Sequence, residues 1–151
     1  MERDGHDHRA PPALIAALTE AQNLGFLGPR PIAEAIEHSM AFVRALPDTA
    51  NRIVDIGSGG GLPGLVVAAA RPAAALTLVD RREKRTDFLR RVVARLGWDH
   101  VKVLSLDVME LERDVSAGRR PPFDAVTAAF DRNVLAVKVR FTVEHECLDG
   151  A

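Results

Sequence analysis

Cysteine is almost absent: Cys147 stands alone in 151 residues. One thiol excludes an internal disulfide and a cysteine-cluster metal site. No apolar run approaches the ~20 residues needed to span a bilayer. The N-terminal Met1-Glu2-Arg3-Asp4-Gly5-His6 is polar and lacks the apolar stretch of a signal peptide. Net charge is nearly absent too, 20 basic residues against 21 acidic, so no global field draws the chain to nucleic acid. There is no internal repeat and no long linker. What remains is an ordinary globular composition, 47% hydrophobic and 27% charged, long enough for one domain with a real core. The expectation is a cytoplasmic protein with a disordered tail over residues 1–11.

The informative stretch runs from Ile53 to Gly64 and reads Ile-Val-Asp-Ile-Gly-Ser-Gly-Gly-Gly-Leu-Pro-Gly. A short apolar run ends in a carboxylate, Asp55. Gly57, Ser58, Gly59 and Gly61 follow, and Pro63 opens an apolar helix. A strand, a glycine-rich turn and a helix N-terminus together make a nucleotide-cofactor pocket. Glycine permits positive φ and lets a ligand touch the backbone. Sixteen residues beyond Gly64, Leu76-Thr77-Leu78-Val79 ends in Asp80. A carboxylate at the tip of the second strand suits a ribose diol.

Gly59 to Gly64 also fits the dinucleotide pattern G-x-G-x-x-G, which alone is a weak signal. Asp55 sits two residues before the first glycine, close to where a pyrophosphate would lie. A fixed negative charge repels a phosphate there and attracts an ammonium or sulfonium. S-adenosylmethionine carries both cations and no phosphate, so the two acids favour it over NAD. A purely structural glycine turn is the other alternative, against which strand, turn, helix and second acid agree.

Asp55 to Gly64, then Val79-Asp80, Lys84-Arg85 and Phe88-Leu89, resemble the bacterial small-subunit ribosomal RNA methyltransferases that act on guanine N7, the glucose-inhibited division protein B family. Leu62-Pro63-Gly64 after the glycines is more particular to that family than to methyltransferases at large. Glu37-His38-Ser39 resembles its helix before the first strand. The likeness covers roughly residues 22 to 128. It implies a Rossmann-like class I methyltransferase sheet, S-adenosylmethionine as cofactor and ribosomal RNA or the small ribosomal subunit as partner.

Along the chain, Leu14, Leu18, Ala21 and Leu24 recur at helical spacing after Pro12. A second helix is expected from Ile32 to Leu46, with Ile32, Ile36, Val43 and Leu46 on its apolar face. Together they form an N-terminal helical cap over residues 12–50, before a core over 51–151. Strands are expected at Arg52–Ile56, Ala75–Val79, Val101–Ser105 and Phe123–Ala128. Helices are expected at Leu62–Arg71, Arg81–Leu96 and Glu110–Ser116. Such alternation predicts a parallel α/β sheet of order 3-2-1-4, with the cofactor above the strand C-termini. The Arg81–Leu96 helix carries seven basic residues against Glu83 and Asp87. That face either meets RNA phosphates or is a solvated face with internal ion pairs; no aromatic RNA-binding pattern accompanies it.

Val137, Val139, Phe141 and Val143 alternate with polar residues, a period-two strand only about five residues past the fourth. A parallel crossover needs a dozen or more. This strand therefore hairpins antiparallel against strand four or leaves the sheet. The family's remaining helix and three strands are not in the chain, which makes the expected sheet a truncated one. An exposed edge of that kind favours a homodimer.

Position by position, the resemblance implies cofactor contacts at Asp55 for the methionine ammonium, at Gly57, Ser58, Gly59, Gly61 and Leu62, and at Asp80 for the ribose. Beyond the third strand the family has an Ala-Glu pair near the adenine; here Val108-Met109 stand there, with Asp107 just before as a candidate for the adenine amino group or an ordinary strand-end acid. After Val126-Thr127-Ala128 the family's arginine is replaced by Ala129, with Arg132 nearby. No catalytic side chain and no metal ligand is implied. His38 and Trp98 are each read first as packing or surface residues. His6 and His8 are read as part of a floppy tail. A non-catalytic relative that binds cofactor or keeps only the fold is the second reading, and an NAD-dependent oxidoreductase the third.

Overall fold

The computed structural model describes residues 10–129 and, for the backbone alone, 130 and 134–139. The expectations for His6, His8, Arg132 and residues 140–143 fall outside them. Two helices come first, α1 (Pro12–Asn23) and α2 (Ile32–Ala45). An alternation follows: β1 (Arg52–Ile56), α3 (Gly64–Ala70), β2 (Ala75–Asp80), α4 (Glu83–Leu96), β3 (Val101–Ser105) and α5 (Val108–Ser116). The hairpin strands β4 (Ala125–Phe130) and β5 (Val134–Val139) close the described chain.

The five strands lie in the order β3-β2-β1-β4-β5. The first four are parallel, with Val54 opposite both Thr77 and Val126. β5 runs antiparallel to β4, from Phe130 opposite Val134 to Ala125 opposite Val139. The expected order is found, and of the two courses open to the last strand it takes the antiparallel hairpin, starting at Val134, three residues ahead of the expected Val137. A connection of three residues can close only an antiparallel pair.

Side chains alternate between the two faces of the sheet. On one face Ile53, Leu76, Leu78 and Val101 pack with Leu14 and Leu18 of α1, Phe42 of α2, Leu65 of α3 and Phe88 of α4. On the other, Val54, Val79 and Val126 pack with Leu111 of α5 and Phe123. α4 shows why its sequence folds this way. Thr86, Phe88, Leu89 and Val92 are buried, its charges face outward, and Gly97 ends it in the left-handed conformation at φ 66°.

Several boundaries differ from expectation. α3 begins at Gly64, because Pro63 occupies the cap position. α5 begins at Val108, because the Asp107 carboxylate accepts a hydrogen bond from the Met109 amide and starts the helix early. β4 starts two residues late: Phe123 is buried in the second cluster, and Asp124 Oδ2 accepts from the amides of Asn51 and Arg52 at 2.8 and 2.9 Å. α2 buries Ser39 and Phe42 most deeply, while Ile32, Ile36 and Val43 are partly buried against the same core. Arg71, after α3, donates to the carbonyls of Val43, Leu46 and Pro47 at 3.3, 3.0 and 3.1 Å, tying the end of α2 to the sheet.

Candidate functional site

The C-terminal ends of β1, β2 and β3 converge on a cavity of about 380 Å³. Ile56 and Gly57 line it from β1, Val79 to Arg82 from β2, and Leu106 to Val108 from the connection into α5. This is where a parallel sheet presents its ligands.

Gly57 leaves β1 with φ 69°, and a Cβ there would stand in open space. The exposed backbone of this residue is what a ligand would meet. Gly64 has the opposite surroundings. A Cβ there would lie 2.5 Å from Asp55 Oδ2 and 2.6 Å from Leu78 Cδ2, so the first turn of α3 packs directly on the β1 carboxylate.

Asp55 has no exposed surface. Its Oδ2 accepts from Ser58 Oγ at 2.8 Å and its Oδ1 from Thr127 Oγ1 at 2.7 Å. Burial pushes its carboxyl up from 3.8 to about 6, against the hydrogen bonds from Thr127, Ser58 and the Gly64 backbone, and the nearby Asp80 charge adds to the rise. Asp55 therefore lies outside the cavity lining, turned back to pin the glycine turn to β4. Ser58 is part of the same pin: it is buried and its hydroxyl also accepts from the Val79 amide at 3.2 Å.

Asp80 faces the cavity at the tip of β2 and is 3% exposed. The Gly59 amide donates to its Oδ2 at 3.0 Å. Arg82 donates to Oδ1 through its amide at 2.9 Å and through Nε at 3.0 Å, and to Oδ2 through Nη2 at 3.1 Å. Burial raises the Asp80 pKa, but these bonds outweigh it and hold the carboxyl below its usual range.

The expected site residues thus separate. Gly57, Asp80, Asp107 and Val108 meet at the cavity. Gly59 supports Asp80 from behind. Gly61 and Leu62 lie on the core side, where a Cβ on Gly61 would run into Leu65 and Leu62 packs on the first cluster. Met109 is 65% exposed beside the cavity without lining it, because the early start of α5 turns it outward. Ile56, Val79, Arg81, Arg82 and Leu106 also line the cavity, beyond the residues expected from the sequence. Only Arg82 carried a signal, an acid followed two residues later by an arginine.

The connection between α1 and α2 reaches the glycine turn as well. A Cβ on Gly60 would meet Leu27 Cδ2 and the Phe26 carbonyl oxygen at 2.7 Å. Arg85 Nη1 donates to that carbonyl at 3.1 Å, and its guanidinium lies 4.6 Å from the Phe26 ring centroid. Arg82, just before α4, and Arg90 and Arg95 on it are committed to Asp80, Asp87 and Glu20, which supports the reading of a solvated face for part of that helix. His38 is exposed and pairs T-shaped with Phe42, and Trp98 packs against the core beside His100. Among the described residues no three His, Cys, Asp or Glu could hold a metal, and no helix is long and apolar enough to cross a membrane.

Comparison with known proteins identifies the family and the fold. The family profile described as rRNA small subunit methyltransferase G matches residues 15–144. A protein named ribosomal RNA small subunit methyltransferase G from Pseudarthrobacter chlorophenolicus is 37% identical over 108 residues, 67% of this chain and 50% of that protein. One of the same name from Mycobacterium leprae is 42% identical over 105 residues, 63% of this chain and 42% of that protein. The chain spans about half the length of the curated relatives it matches. Among solved structures, an O-methyltransferase from Bacillus cereus in complex with S-adenosylhomocysteine superimposes with a TM-score of 0.61 at 16% identity, over 83% of this chain and 57% of that one. The shared fold is a Rossmann-like methyltransferase sheet.

Proposed function

The chain belongs to the rRNA small subunit methyltransferase G family, and from that premise we propose that it binds S-adenosylmethionine in the cavity above β1–β3 and transfers the methyl group to ribosomal RNA, at guanine N7. One observation carries the cofactor reading: Gly57 offers an open backbone and Asp80 a carboxylate on the same cavity wall. Asp80 takes the ribose, Gly57 admits the methionine end, and Asp107 faces the adenine amino group. Asp55, buried under the turn, acts on the methionine ammonium as a fixed charge below it and not as a direct ligand.

The chemistry asks little of side chains. S-adenosylmethionine held there would supply a methyl group on a sulfonium: the N7 lone pair would take the methyl carbon as the carbon–sulfur bond breaks, leaving a neutral thioether. No proton has to be removed from N7, so no general base is needed. Rate enhancement comes from holding nitrogen, methyl and sulfur in line. The missing family arginine at Ala129 and the Val108-Met109 pair favour a second reading, a non-catalytic relative that still binds the cofactor.

Calorimetric titration with S-adenosylmethionine tests the first claim. Micromolar binding is expected, and its loss in Asp80→Ala. Methylation of ribosomal RNA or assembled small subunits then separates the two readings. β5 stands last in the sheet order, and we propose that pairing of this strand with a second copy makes a homodimer; sedimentation showing only monomer would remove that idea.

A further inference from the structure

The Asp80 carboxylate has two oxygens with two lone-pair sites each. Arg82 N and Nε occupy Oδ1, and Gly59 N and Arg82 Nη2 occupy Oδ2. All four sites are filled by the protein itself. A ribose diol brings two hydroxyl donors and needs two of these acceptors.

Two of the four donors are backbone amides, and freeing them would mean rebuilding the glycine turn or the start of α4. The other two belong to the Arg82 guanidinium. Its side chain is 53% exposed against 2% for that of Asp80, so water can take up its donors as soon as it lets go. The Arg82 amide and the Gly59 amide would then keep the carboxylate oriented for the incoming hydroxyls.

We infer that Arg82 is a built-in competitor of the cofactor at Asp80: its guanidinium holds the acceptor sites that the ribose diol requires, and the cofactor binds only by displacing it. This rests on the cofactor reading above. A competing state lowers apparent affinity by the fraction of molecules in which the site is free. Arg82 thus sets the cofactor affinity of the pocket without touching the transferred group.

The test is calorimetric titration of the full chain, wild type and Arg82→Ala, with S-adenosylhomocysteine, and with adenosine against 2′,3′-dideoxyadenosine. Arg82→Ala is expected to bind S-adenosylhomocysteine and adenosine about three- to ten-fold more tightly, with no gain for the dideoxy compound. Equal or weaker binding of S-adenosylhomocysteine by Arg82→Ala overturns the competitor and leaves the cofactor reading standing. So does an equal gain for the dideoxy compound. Failure of both folded proteins to bind S-adenosylhomocysteine overturns the cofactor reading itself. Arg82→Gln, which keeps much of the side-chain length and removes the charge, carries the same comparison if Arg82→Ala does not fold.

Discussion

Asp55 Oδ1 and Thr127 Oγ1 lie 2.7 Å apart, on residues that are direct partners in the β1–β4 register. The hydroxyl donates to a carboxylate without exposed surface. Thr127→Val keeps the shape and removes the donor, leaving a buried acceptor short of a partner. The expected cost is about 1–3 kcal/mol, read as a lower urea midpoint with an unchanged m-value.

The same carboxylate gives the fold a pH signature. Its pKa rises from 3.8 to about 6 on folding, so between those values the folded state binds more protons than the unfolded one. Stability attributable to Asp55 therefore falls as pH rises through this window, by about 3 kcal/mol in all at 1.36 kcal/mol per unit. Asp80 shifts the opposite way and loses its contribution only at lower pH. Asp55→Asn should be more stable than wild type near neutrality, with the gap closing below about pH 4. Thermal melts of both proteins across that range check it; a gap independent of pH would refute the assignment.

Gly64→Ala should destabilise, although alanine is the better helix former. The propensity gain is at most about 1 kcal/mol. The added methyl would sit 2.5 Å from Asp55 Oδ2 and 2.6 Å from Leu78 Cδ2, both buried, and such overpacking costs about 1–3 kcal/mol. A net loss of melting temperature is expected.

Gly57→Ala separates binding from folding. Its methyl would meet nothing within 4 Å, so the fold bears only the positive-φ penalty of about 1–2 kcal/mol. The methyl would project where a ligand approaches. Cofactor binding should weaken at least ten-fold in a protein that still melts cooperatively.

Arg71→Ala removes three hydrogen bonds to the last carbonyls of α2 and to Pro47. Those acceptors sit at the negative end of a helix dipole. A loss of about 1–3 kcal/mol is expected, with amide exchange at the C-terminal turn of α2 accelerated before that of β1.

What could be read from the chain is what is local. The strand, glycine turn and helix around Asp55 declare themselves within a dozen residues, and Asp80 follows one strand later. The short gap before β5 excludes a parallel partner, while its antiparallel pairing with β4 is settled only by the fold. What escaped depends on pairing across the sequence. Thr127 stands 72 residues from Asp55, so nothing near Asp55 reveals that its carboxylate is spoken for. Asp80 looked like an open ribose acceptor because an arginine two residues on can as easily point to solvent as curl back. Asp107 fits a strand-end acid or an adenine contact from its neighbours alone, and its capping of α5 depends on where that helix begins.

The close approach of Leu27 and the Phe26 carbonyl to Gly60, which leaves no room for a Cβ, divides the labour among the glycines of the turn. Gly57 is bare for the sake of a ligand, Gly60 for the sake of the chain's own N-terminal segment. One short turn thus has two outward faces, and a side chain at Gly60 would unseat residues 26 and 27 without entering the cavity.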